Sequence, residues 1–70
     1  MKSSIKLTFG KKIREFRINL GYTQEQLAET AGVDYKYLQR IEGKTPPNLK
    51  LETIEKLAKA LKIPASKLFI

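Results

Sequence analysis

Residues Thr23 to Glu42, TQEQLAETAGVDYKYLQRIE, carry two short runs of apolar periodicity broken once by a glycine, and every boundary has its own signal. Leu27, Ala28 and Ala31 recur at helical spacing before Gly32, and Val33, Leu38 and Ile41 follow it. Thr23 and Gln26 stand in the S/T-x-x-E/Q relation of a capping box, with Tyr22 and Leu27 at the positions of a hydrophobic staple. Gly32 supplies the left-handed residue that a tight corner needs. Asp34 is an N-cap that places a carboxylate at the positive end of the second helix. A chain written this way is constrained to a rigid corner of two helices. Ala28 and Ala31 are small enough to let the second helix approach closely. Tyr35, Lys36, Gln39 and Arg40 fall on its outer face, opposite Leu38 and Ile41.

The flanks are helical too. Thr8 to Leu20 reads as a first helix with Thr8 as its cap (Ser4 being a second candidate). Phe9, Ile13, Phe16 and Leu20 form its buried stripe, and Gly21 is its stop. Gly43 is expected to end the helix that Asp34 starts. In the KTPPNLK loop, Pro46 and Pro47 prevent helix continuation and stiffen the path. About Leu49 to Leu61 is expected to bury Leu51, Ile54, Leu57, Ala58 and Leu61. Its Glu52→Lys56 and Glu55→Lys59 pairs have the favourable i,i+4 order. A last turn or two follows Pro64 and closes on Leu68, Phe69 and Ile70. The expectation is an all-α domain of five helices with no strands, residues 1–70 forming a single unit.

Seventy residues lie near the size at which one core barely offsets the entropy of ordering the chain. With no cysteine and no histidine, neither disulfides nor a structural zinc site can staple the fold, so helix packing and capping must serve, with a partner subunit as a further source of stability where one binds. No apolar run approaches the roughly 20 residues of a membrane span, and the N-terminus lacks a signal-peptide core. A soluble, cytoplasmic protein without membrane contact is expected. Fourteen Lys/Arg against seven Asp/Glu give a net charge of +7, which favours a polyanionic partner. The excess is concentrated early: Lys2, Lys6, Lys11, Lys12, Arg14 and Arg17 are opposed only by Glu15. The later lysines are interleaved with Glu52 and Glu55 and read as a solvated face.

The stretch IREFRINLGYTQEQLAETAGVDYKYLQRIEGK, followed by LETIEKLAKAL, closely resembles the helix-turn-helix domain shared by phage repressors, Cro proteins and the xenobiotic-response-element regulators. The resemblance runs from about Phe9 to Phe69. It is specific because Thr23-Gln24, Leu27-Ala28, Ala31-Gly32-Val33 and Arg40-Ile41-Glu42 coincide. It implies a five-helix, lambda-repressor-like domain with its helix-turn-helix at about 24–42. It further implies a homodimer that binds operator DNA to control transcription, with residues 35–42 in the major groove. No sensor or effector region is expected beside it.

By position, Gln24 matches the family glutamine that donates to a DNA phosphate and buttresses the recognition helix. Tyr35, Lys36, Gln39 and Arg40 match groove-facing positions. Lys36 or Arg40 suits guanine O6/N7, Gln39 suits adenine N6/N7, and Tyr35 suits a phosphate or a thymine methyl. Tyr37 matches a frequent aromatic, which either packs beside the loop or also reaches a phosphate. Lys44, Thr45 and Asn48 match the loop laid along the sugar-phosphate backbone, where contacts position the protein and read no sequence. Arg17 and Glu42 match a structural ion pair. One departure stands out. The family usually has a residue between this glutamate and the glycine, whereas Glu42 meets Gly43 directly. An early end to the recognition helix is therefore expected.

Catalysis is not expected, nor any cofactor or metal, since there is no histidine, cysteine, glycine-rich phosphate loop or inward-facing carboxylate pair. Leu68, Phe69 and Ile70 are apolar enough to suggest a dimer interface, with capping of the core as the simpler role. Two-fold symmetry would demand an inverted-repeat operator with half-sites about 10 bp apart. The alternative is an antitoxin-type interaction module whose protein partner is a toxin and whose DNA binding is secondary. The absence of a toxin-wrapping tail counts against it. Contact with polymerase would need an exposed patch that the sequence does not identify.

Overall fold

The computed structural model describes residues 5–69, and the side chains of 7–68. In chain order it has α1 (Ile5–Asn19), α2 (Gln24–Ala31), α3 (Tyr35–Ile41) and α4 (Leu51–Ala60), then a short 3-10 helix (Ala65–Phe69). The described residues contain no strand. The domain is all-helical as expected, but the count of five α-helices is not met. The last segment, after Pro64, is a tight 3-10 turn over Ala65–Phe69.

Phe9, Ile13, Leu27, Leu38, Ile41, Leu57, Leu61 and Leu68 are fully buried in one core to which every helix contributes. Ala28 is also buried, so α2 offers no bulk where the other helices meet it. Two expected core positions are surface. Leu20 is 44% exposed because the chain turns away at Gly21, just past the end of α1. Leu51 is 70% exposed: it is the first residue of α4, a turn before Ile54, where neighbouring elements no longer cover the helix. Thr8 does not cap α1. That helix already begins at Ile5, and Thr8 lies half-buried inside it. Ser4 lies outside the described residues.

Three helices end in the same way. After α1, Tyr22 N–H donates to the Arg17 carbonyl and Gly21 N–H to that of Ile18, with Gly21 at φ 78°. After α2, Val33 N–H reaches Ala28 and Gly32 N–H reaches Glu29, with Gly32 at φ 73°. After α4, Ile63 N–H reaches Ala58 and Lys62 N–H reaches Lys59, with Lys62 at φ 62°. These are Schellman motifs, each pairing two carbonyls that a helix end leaves orphaned. In the third, a lysine occupies the left-handed position that glycine fills in the other two.

α3 ends differently. It stops at Ile41 with Glu42 as its C-cap, so the helix is short, as the missing residue between Glu42 and Gly43 suggests. Gly43 has no left-handed φ and is not the stop that was expected. A β-carbon there would lie 3.2 Å from the Gln39 carbonyl oxygen, so glycine serves close packing on the last turn. Gly10 serves the same end more stringently. It is buried in α1, and a β-carbon would overlap the Ile41 carbonyl oxygen, so α1 and the end of α3 meet backbone to backbone. Of the two i,i+4 pairs on α4, Glu52–Lys56 closes, at 3.8 Å and in solvent, where it contributes little. No helix among the described residues is long and apolar enough to cross a membrane.

Candidate nucleic-acid interface

α2 and α3 start at the caps the sequence suggests, and α2 stops at Gly32 as the sequence suggests. Thr23 accepts from Gln26 N–H at 3.1 Å and its own N–H donates to the Gln26 side chain at 2.9 Å, which completes the capping box. Asp34 accepts from Tyr37 N–H at 3.2 Å. Each bond satisfies a donor that the first helical turn would otherwise leave to water. With Leu27, Ala28 and Ala31 buried on one helix and Leu38 and Ile41 on the other, the corner is set by caps and core together.

The outer face of α3 is polar and open. Tyr35, Lys36, Gln39 and Arg40 are all exposed, and Gln39 Nε2 donates to the Tyr35 hydroxyl at 3.1 Å across one turn. Both side chains are thereby held against the helix.

Behind this face lies a network that joins three helices. Arg17 on α1 makes two parallel bonds to Glu42, Nε to Oε2 and Nη2 to Oε1, each 2.9 Å. Its Nη1 donates to the Tyr22 carbonyl at 2.9 Å, which fixes the α1–α2 turn. Gln24 Nε2, at the start of α2, donates to Glu42 Oε1 at 3.1 Å. The Glu42 side chain is 3% exposed and that of Arg17 is 12%. A carboxylate at the C-terminal end of a helix faces the negative end of the helix dipole, so Glu42 needs these donors. The second N–H of Gln24 has no hydrogen-bond partner among the described residues and is free to donate outward.

Arg14, Arg17, Gln24, Gln39, Glu42 and Gly43 line an open cleft of about 390 Å³ beside α3. The structure therefore gathers Arg17, Gln24, Gln39 and Glu42 at one place. Tyr37 is half-buried, and its hydroxyl donates to the Asn48 carbonyl at 3.2 Å, tying α3 to the proline loop. Lys44, Thr45 and Asn48 are exposed on that loop, beyond the end of α3. Leu68 is fully buried in the core of its own chain. The Phe69 side chain and Ile70 lie outside the described side chains. Arg14, in sequence only one member of the basic stretch, lines the cleft one turn before Arg17. Its spacing from Arg17 on the open side of α1 was the available signal. At Gly10 nothing local in the sequence marks the helix crossing.

Residues 13–68 match the helix-turn-helix family. The hypothetical transcription factor of Neisseria meningitidis serogroup B is 41% identical over 58 residues, which are 83% of this chain and 54% of that protein. The chain thus spans about half the length of that curated relative. Among solved structures, the restriction-modification controller protein C.AhdI from Aeromonas hydrophila superposes with a TM-score of 0.86. It is 39% identical, and the match covers 91% of this chain and 96% of C.AhdI. The controller protein C.Esp1396I, in a structure bound to a 19 base pair DNA duplex, gives a TM-score of 0.85 at 28% identity, covering 96% of this chain and 88% of that one. This chain belongs to the helix-turn-helix family, in its phage-repressor and Cro-like branch.

Proposed function

We propose that this protein is a small transcription regulator, of repressor or controller type, that binds double-stranded DNA sequence-specifically as a homodimer. It is not an enzyme and works in the cytoplasm. α3 enters the major groove, with base-reading side chains among Tyr35, Lys36, Gln39 and Arg40. Gln24 donates its remaining N–H to a phosphate, Lys44, Thr45 and Asn48 lie along the backbone, and Tyr37, whose hydroxyl is given to the Asn48 carbonyl, holds their loop against α3.

The observation that carries this reading is the mounting of α3. A seven-residue helix has almost no stability of its own. Here its inner face is buried, its start is capped, and its end is fastened through Glu42 to α1 and α2. All that rigidity serves an outer face with no packing partner among the described residues. A net charge of +7 adds attraction to a polyanion. The DNA-bound C.Esp1396I, a protein of the same fold, is the precedent for such a face.

The deciding experiment is selection of bound duplexes from a randomised pool at near-physiological salt. Enrichment of an inverted repeat with half-sites about 10 bp apart is expected. A folded, helical protein that enriches nothing would refute the reading and favour a protein partner, as in the antitoxin alternative.

A further inference from the structure

The Tyr35–Gln39 bond, on the outermost turn of α3, bears on how one base pair is read. A glutamine amide presents two N–H donors and one carbonyl acceptor. Adenine is recognised in the major groove by one donor to N7 and one acceptor for the N6 amino group. A freely turning amide offers this pair in either orientation and must lose that freedom on binding. In this protein one Gln39 N–H is already given to the Tyr35 oxygen at 3.1 Å, leaving one N–H and the carbonyl for the groove.

We infer that Tyr35 and Gln39 act as a single reading unit, in which Tyr35 positions the Gln39 amide for adenine. The inference rests on the DNA-binding function proposed above. The hydroxyl of Tyr35 accepts through its oxygen, so its proton is free for a phosphate or base acceptor on the DNA. Once that proton is committed, the hydroxyl can serve Gln39 only as an acceptor. The amide is then barred from turning its carbonyl toward Tyr35, and the donor–acceptor pair faces the base in one orientation. Contact of Tyr35 with DNA thereby sharpens what Gln39 reads. Both side chains are exposed, so removing one hydroxyl leaves the core unchanged.

The test is a four-protein cycle of wild type, Tyr35→Phe, Gln39→Ala and the double variant. Each is measured on the selected operator and on versions with every substitution at each half-site position. Far-UV circular dichroism and thermal melts on all four report folding. Tyr35→Phe is expected to lower adenine preference at one base pair by at least about five-fold, the same pair at which Gln39→Ala abolishes it. In the Gln39→Ala background, Tyr35→Phe should change no base preference. A Tyr35→Phe effect that persists at that pair without Gln39 would overturn the inference, since Tyr35 would then make its own base contact. Unchanged adenine preference in Tyr35→Phe would overturn it equally. Failure of the wild type to select any sequence would instead remove the function on which the inference depends.

Discussion

Arg17 and Glu42, 25 residues apart in sequence, meet in two parallel 2.9 Å hydrogen bonds that leave the carboxylate almost wholly buried. The pair links α1 to the end of α3, and the same carboxylate takes a third bond from Gln24 at the head of α2. One ionised group therefore sets the relation between the helix proposed to touch phosphate and the helix proposed to read bases.

Removing one member of this pair strands the other. Arg17→Met should cost about 3–5 kcal/mol, because Glu42 would keep its charge in a buried place and lose two of its three donors. In a domain of this size that is a large part of the total stability. Replacing both, as Arg17→Met with Glu42→Met, should cost less than the single change, since no charge remains to be compensated. Urea denaturation of the two variants checks the order, and a double variant less stable than Arg17→Met would contradict it.

Gly10 supplies a second, independent test of the α1–α3 contact. Alanine in mid-helix ordinarily gains about 1 kcal/mol over glycine. Here the added methyl would overlap the Ile41 carbonyl, and backbone cannot swing aside as a flexible side chain can. Gly10→Ala is expected to destabilise by about 1–3 kcal/mol net. A thermal melt shows the sign directly, and a rise in Tm would mean that the two helices sit farther apart.

The three Schellman ends make opposite predictions for one backbone conformation. A β-carbon at Gly21 or Gly32 would meet nothing within 4 Å, so the cost of alanine there is purely conformational, about 1–2 kcal/mol. Lys62 already bears that cost at φ 62°. Lys62→Gly should therefore stabilise the domain, by about 0.5–1 kcal/mol once the greater freedom of glycine in the unfolded chain is deducted. Paired melts of Gly32→Ala and Lys62→Gly should move in opposite directions.

Much of this architecture is legible in the sequence wherever the cause is local. The Thr23/Gln26 box, the Asp34 cap and the stops at Gly21 and Gly32 each depend on a few neighbouring residues, and the structure forms all of them. The features that escaped were set by distant neighbours. Leu20 and Leu51 carry the right periodicity, but whether a helix end is covered depends on what lies opposite. Gly10 looks like a weak point in a helix until Ile41 is placed against it. The same holds for the candidate site. The outward residues of α3 follow from helical spacing, whereas Arg14 entered the cleft only through the packing of α1 beside α3. The triple use of Glu42 requires the fold as well: family resemblance implies the ion pair and a buttressing role for Gln24, but not that Gln24 acts through the same carboxylate.

The site separates the reading residues from the holding residues, and binding measurements should show the division. Arg40→Ala should cost about 1–3 kcal/mol on the selected operator and relax preference at a single base pair, if its guanidinium takes guanine O6/N7. Gln24→Ala should weaken binding to every sequence alike, because a phosphate contact carries no sequence information. Salt gives an independent count of the phosphates engaged. If the dimer neutralises about eight of them, log K should fall with log salt at a slope of about −7. Gln24 is uncharged, so Gln24→Ala should lower affinity while leaving that slope nearly unchanged. Replacing Lys44 should lower affinity and also reduce the slope by about two, one phosphate for each protomer. An unchanged slope in the Lys44 variant would place that lysine away from the backbone, and the proline loop would then need another role.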